Sequence, residues 1–144
     1  MGEKNAKELL IIMPAYNEEK NIVPVLEKLE QPEIAEIADV LVMNDASCDS
    51  TNWVVKKHGH NLVTHVFNLG YGSALQLGYK YAIRRNYKYV IQMDADGQHD
   101  VCNIPKLYER LKTADADGGY PDIVLGSRFM KESPDYPVSF VRKV

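Results

Sequence analysis

Two carboxylates separated by one residue, Asp94-Ala95-Asp96, directly follow the apolar run Tyr89 to Met93. Such a run, bounded by polar residues, reads as a buried strand, so both side chains are displayed where the chain leaves a sheet. Four other strand-like runs end in polar groups as well: Pro14-Ala15-Tyr16-Asn17-Glu18, Asn44-Asp45, Asn68-Leu69-Gly70 and Gly126-Ser127-Arg128. In an open parallel sheet, ligands bind outside the carboxyl ends of the strands, and all five segments would open onto one rim. Carboxylates gathered there repel one another, and little besides Arg128 could neutralise them. A divalent cation is the natural partner. Mg²⁺ or Mn²⁺, held by one or two carboxylates and completed by phosphate oxygens and water, suits such a donor set and would draw a diphosphate into an acidic crevice.

The Asp-x-Asp spacing alone is weak evidence in a chain with 20 acidic residues. A second copy, Asp115-Ala116-Asp117, follows a helical pattern and runs into Gly118-Gly119, which reads as a solvated loop and is set aside. Strand-end aspartates also serve as helix caps and turn formers, and that reading stays open for Asp94 and Asp96. The glycine-rich turn Gly70-Tyr71-Gly72-Ser73 opens a helix and could aim backbone N–H groups at an anion, or could serve tight packing of strand against helix. No Gly-x-Gly-x-x-Gly follows the first strand and no Gly-x4-Gly-Lys-Ser/Thr occurs, which argues against dinucleotide and P-loop chemistry.

The elements that must position these groups are read from periodicity. Leu9 to Met13, Asp39 to Met43, Leu62 to Phe67, Tyr89 to Met93 and Asp122 to Leu125 are predicted strands, nearly continuous in apolar character as both-face burial requires. Ile22, Val25, Leu26 and Leu29 lie on one helical face, and Ile104, Leu107, Tyr108 and Leu111 repeat the spacing. A helix opened by Gly72-Ser73 uses Ala74, Leu77, Tyr81 and Ala82, and a shorter one surrounds Trp53 and Val54. Strict β-α alternation predicts an α/β three-layer sandwich with a mostly parallel, twisted sheet and right-handed crossovers.

With 144 residues and 45% hydrophobic content, the chain suits a single domain over 1–144. The net charge of -3 is spread along the sequence with no Lys/Arg block, so nucleic acid is not an expected partner. Cys48 and Cys102 match no paired metal-ligand spacing and no disulfide framework, and a small buried residue is the expected role of Cys48. Met1 to Glu8 is polar and charged, and no apolar run approaches bilayer-spanning length. A cytoplasmic protein is expected. The sequence stops at Phe140-Val141-Arg142-Lys143-Val144 without a turn signal, soon after the last predicted strand, which suggests an N-terminal fragment of something longer. Membrane contact would then belong to the missing part, and apolar surface around Val138, Phe140 and Val141 would favour a homodimer.

Taken together, Ile11 to Glu19 (Ile-Ile-Met-Pro-Ala-Tyr-Asn-Glu-Glu), Val42 to Thr51, Asn68 to Ala74, Met93 to Asp100 and Gly126 to Phe129 resemble five successive motifs of the family 2 glycosyltransferases with the glycosyltransferase-A fold. The likeness is to the branch containing dolichol-phosphate mannosyltransferase and polyprenyl-phosphate glycosyltransferases. It implies inverting transfer of a sugar from a UDP- or GDP-linked donor to a glycan or lipid-phosphate acceptor such as a polyprenyl phosphate. Metal-assisted departure of the nucleoside diphosphate would drive the step. By the same resemblance Pro14, Ala15, Tyr16 and Glu18 would line base and ribose, Asp45 would hydrogen-bond the base, and Gly70 and Gly72 would belong to the nucleotide-sugar site. Asp94 and Asp96 would flank metal and phosphates, Gln98 would face the sugar or acceptor, and Arg128 would meet a phosphate. Asp96, Gln98 and Arg128 are thereby the implied catalytic residues. Val101 stands where most members have proline, and Tyr71 where some have a basic residue.

Two other readings compete: a non-catalytic nucleotide-sugar-binding module, and a sugar nucleotidyltransferase, although the glycine- and arginine-rich first loop favoured by the latter is missing. His58, His60 and His65 lack the spacing of a closed zinc site and are expected at the surface or as caps, whereas His99 adjoins Asp94 and Asp96.

Overall fold

A computed structural model describes residues 7–126. Four strands, β1 (Leu9–Ala15), β2 (Ala38–Asn44), β3 (Asn61–Thr64) and β4 (Tyr89–Gln92), form one sheet in the order β3-β2-β1-β4. Every pairing is parallel, with Leu9 opposite both Ala38 and Tyr89. All seven residues of β1 are buried because it is flanked by strands on both sides and by helices on both faces.

Alternation along β1 divides the core. Leu9, Ile11 and Met13 face α1 (Ile22–Leu29), the four-residue α2 (Pro32–Ala35), α3 (Thr51–Lys57) and α5 (Ile104–Lys112). Leu10 and Ile12 face α4 (Tyr71–Arg84) with Leu41 and Met43. The result is the expected three-layer α/β sandwich. In α1 the residues Ile22, Val25, Leu26 and Leu29 are buried, the face predicted from their spacing. α4 instead buries the small residues Ala74, Gly78 and Ala82, while Leu77 and Tyr81 pack partly buried beside them. A Cβ on Gly78 would lie 2.9 Å from Met43 Sδ and 3.2 Å from Ile12 Cβ, so this glycine sets how closely α4 approaches the sheet.

The predicted fifth strand is corrected. Asp122 to Leu125 takes no strand pairing among the described residues, and Ile123 and Leu125 are exposed. Strand-like composition forms a strand only where a neighbouring edge supplies hydrogen bonds. β3 is also shorter than predicted, leaving Val66 and Phe67 exposed after it. Arg128, Val138, Phe140 and Val141 lie outside the described residues. No helix among the described residues is long and apolar enough to cross a membrane.

Candidate functional site

The segments after β1 and β2 are fastened to each other by backbone-to-side-chain bonds. Asn17 N–H donates to Ser47 Oγ at 2.9 Å, Glu18 N–H to Thr51 Oγ1 at 2.9 Å, and Glu19 N–H to Asp49 Oδ2 at 3.1 Å. In return Cys48 N–H donates to Asn17 Oδ1 at 2.9 Å and Ser50 N–H to Glu19 Oε2 at 2.8 Å. Asn17 and Ala46 both adopt the left-handed region, with φ 55° and 59°. Asparagine tolerates that conformation, whereas alanine holds it only because its surroundings impose it. Burial opposes ionisation of Asp49, but hydrogen bonds from Thr51 and Glu19 outweigh it and hold the carboxyl below its usual range. Cys48, expected buried, is exposed: its backbone is tied into the loop while its side chain is not drawn inward.

Asp45 is 4% exposed and its carboxylate accepts three hydrogen bonds. Its Oδ1 accepts from His65 Nδ1–H at 2.7 Å and Leu69 N–H at 2.9 Å, and its Oδ2 from Gly70 N–H at 2.8 Å. Burial pushes its pKa up, yet these bonds and the His65 ring together leave it below the ordinary value. The carboxylate thus folds the β3–α4 connection back over the sheet end. Gly70, at φ 87°, makes the turn into α4. A Cβ at Gly70 or Gly72 would meet nothing within 4 Å, so the glycine-rich turn does not serve tight packing, and Gly78 has that role.

After β4, Asp94 and Asp96 bracket the buried Ala95, placing both carboxylates on the outward side of the turn. Asp94 Oδ1 accepts from Tyr71 O–H at 2.9 Å, and its Oδ2 lies 3.1 Å from His99 Nε2. Asp96 Oδ1 accepts from Gln98 N–H at 2.9 Å across Gly97, at φ 78°. Asp96 is therefore a turn former as well as a rim carboxylate. Asp100 caps the following 3-10 turn through Cys102 N–H, so Val101 in place of proline leaves the turn intact.

Four strand ends converge on a cleft of about 330 Å³. β1 contributes Pro14, Ala15, Tyr16 and Glu18, and β2 contributes Asp45. The β3–α4 connection adds Asn68, Gly70, Tyr71 and Ala74, and β4 adds Asp94, Ala95 and Asp96. Of the expected site residues, Gly72 and Gln98 lie beside the cleft without lining it. Asn68 and Tyr71 line it without having been singled out as site residues, and neither follows a side-chain spacing that would mark it.

Residues 10–138 match the family described as Glycosyl transferase family 2. The chain belongs to that family. It is 35% identical over 127 residues to an undecaprenyl-phosphate mannosyltransferase of Micrococcus luteus, covering 83% of this chain and 48% of that protein. Among solved structures, this family 2 chain is similar to Staphylococcus aureus TarS in complex with UDP, with TM-score 0.56 and 22% identity over 73% of this chain and 33% of the other. A mannosyltransferase of Pyrobaculum calidifontis in complex with GDP-Man and Mn²⁺ gives TM-score 0.51 and 22% identity, over 67% of this chain and 30% of the other. At that identity the likeness concerns the fold. The chain spans about half the length of the curated relatives it matches.

Proposed function

We propose that this chain forms the donor-binding part of a glycosyltransferase that moves a sugar, with inversion, from a nucleoside-diphosphate donor to a polyprenyl phosphate. The observation that carries the reading is the convergence of the β1 end, Asp45, the start of α4 and the Asp94/Asp96 pair on one cleft. Tyr16, about half exposed, offers a ring face beside Pro14 and Ala15 for the nucleoside. A carboxylate has about four acceptor positions, and Asp45 uses three, leaving one on Oδ2 for a base N–H.

Asp94 and Asp96 are the residues to hold a divalent ion. Among the described residues no third His, Cys, Asp or Glu completes a protein cage, which fits Mg²⁺ or Mn²⁺ sharing its remaining positions with phosphate and water. When bound, the ion supplies positive charge against the leaving diphosphate. The mannosyltransferase structure that contains GDP-Man and Mn²⁺ supports this donor chemistry, and the M. luteus relative's name supports the lipid phosphate as acceptor. Such an acceptor is already anionic and needs no general base. Arg128 would serve its phosphate bidentately.

Isothermal titration with UDP and GDP, in Mn²⁺ and then in EDTA, tests the reading. Binding that depends on Mn²⁺ is expected, and equal affinity in both conditions removes the metal role. Turnover of the corresponding sugar donor onto a polyprenyl phosphate separates an enzyme from a binding module.

A further inference from the structure

Asp94 is fixed from the side by a directed chain of hydrogen bonds that joins α4 to β4. Tyr79 O–H donates to Gln92 Oε1 at 2.8 Å, Gln92 Nε2–H donates to Tyr71 O at 3.0 Å, and Tyr71 O–H donates to Asp94 Oδ1 at 2.9 Å. The direction follows from the endpoints. An ionised carboxylate only accepts, so the single Tyr71 proton belongs to Asp94. The Tyr71 oxygen must then receive a proton from Gln92, which turns the amide nitrogen toward Tyr71 and its carbonyl toward Tyr79. Tyr71 and Tyr79 lie two helical turns apart on one face of α4, and Gln92 is the last residue of β4, so the chain spans two packed elements rather than one loop.

We propose that Tyr71 is a positioning residue whose hydroxyl sets the plane of the Asp94 carboxylate for a divalent cation and its nucleoside diphosphate. The inference rests on the donor site argued above. Tyr71 holds Asp94 Oδ1 and His99 Nε2 lies 3.1 Å from Oδ2, so the carboxylate is held at both oxygens on the edge of the cleft that Tyr71 and Asp94 both line. Without the hydroxyl, only the exposed His99 ring restrains the terminal torsion of the carboxylate, which is broad for aspartate, and the fixed plane is lost. Partners that orient a metal-binding side chain typically contribute 10- to 100-fold in metal affinity.

The test is Mn²⁺ binding to the chain in the presence of UDP, followed through the electron paramagnetic resonance signal of free Mn²⁺, for the wild type, Tyr71→Phe, Tyr79→Phe and Asp94→Asn. Tyr71→Phe keeps the ring and is expected to weaken Mn²⁺ binding roughly 10-fold, with a changed spectrum of the bound ion. The urea midpoint of Tyr71→Phe should stay close to that of the wild type, an outcome that general damage to the α4 start would not give. Tyr79→Phe, at the end of the hydrogen-bond chain away from Asp94, should weaken Mn²⁺ binding in the same direction by less, and it carries the test should Tyr71→Phe fold poorly. Wild-type Mn²⁺ affinity in Tyr71→Phe beside a large loss in Asp94→Asn overturns the role of Tyr71 alone. Unchanged binding in Asp94→Asn, or none in the wild type, overturns the donor site and this inference with it.

Discussion

The two Asp-Ala-Asp triplets are alike in sequence and opposite in placement. In Asp94-Ala95-Asp96 the alanine is buried at the end of β4 and both aspartates line the cleft. In Asp115-Ala116-Asp117 all three residues are exposed. Asp115 pairs with Arg110, and Asp117 Oδ1 accepts Gly119 N–H at 3.0 Å, closing a turn after α5. The middle residue carries the lesson: a buried side chain between two aspartates fixes which way both carboxylates face, whereas an exposed one fixes nothing. Spacing becomes informative only when the element holding it is known.

The largest contrast between sheet rim and loop is expected in stability. Asp45→Ala leaves His65 and Leu69 N–H without this acceptor and Gly70 N–H with only Asn68 Oδ1, and should cost roughly 2–3 kcal/mol. Asp115→Ala removes an exposed ion pair and should cost less than about 1 kcal/mol. Urea titration of both variants decides this, and equal losses would break the distinction. Next, Asp96→Asn should lose about 1.5–3 kcal/mol of Mn²⁺-dependent UDP affinity, the usual cost of removing a charged partner, while Asp117→Asn should bind as the wild type does. Titration calorimetry compares the pair directly.

The middle alanines sharpen the comparison at smaller scale. Ala95→Leu must overpack a site that is 2% exposed, for an expected 1–3 kcal/mol or so of destabilisation, whereas Ala116→Leu should stay within about 0.5 kcal/mol. Melting temperatures separate these outcomes. The smallest effect is in acid. Asp45 and Asp49 both have folded pKa values below the ordinary range, so as pH falls the unfolded chain takes up protons first. Their contribution to stability is full above about pH 5 and is lost as pH falls through about 4 toward the folded values. Urea midpoints between neutral and acid pH should show this decline, and Asp45→Ala should show a shallower one.

Much of the fold was legible because it rests on local periodicity. The buried faces of α1 and α5 and the ends of β1, β2 and β4 follow from apolar spacing and from where polar residues interrupt it. α2 escaped because Pro32–Ala35 is too short to show a helical period. Asp122 to Leu125 misled because strand composition alone does not seat a segment on a sheet edge: no described strand lies on the outer side of β4, yet this segment does not pair there. At the site, the positions of Asp45, Asp94 and Asp96 could be read, but their partners could not. His65, Leu69 and Gly70 reach Asp45 across 20, 24 and 25 residues, and the bonds fastening the β1 and β2 ends span 30 to 33. His65 illustrates the cost: expected as a surface or capping residue, it is largely buried against Asp45.

The strand order has a consequence for how the chain is made. β1 is the most apolar strand and sits between β2 and β4, with Leu9 opposite Tyr89. One side of β1 therefore waits for residues synthesised about 80 positions later. At the usual pace of about 5–20 residues per second, the ribosome takes at least several seconds to deliver them. During that interval Leu9–Ala15 presents an unpaired edge, and the α4 layer that covers Leu10 and Ile12 is itself incomplete until Arg84 emerges. Nascent chains stalled between β3 and β4 should accordingly be the species most prone to capture by chaperones or to pairing with a neighbouring nascent chain.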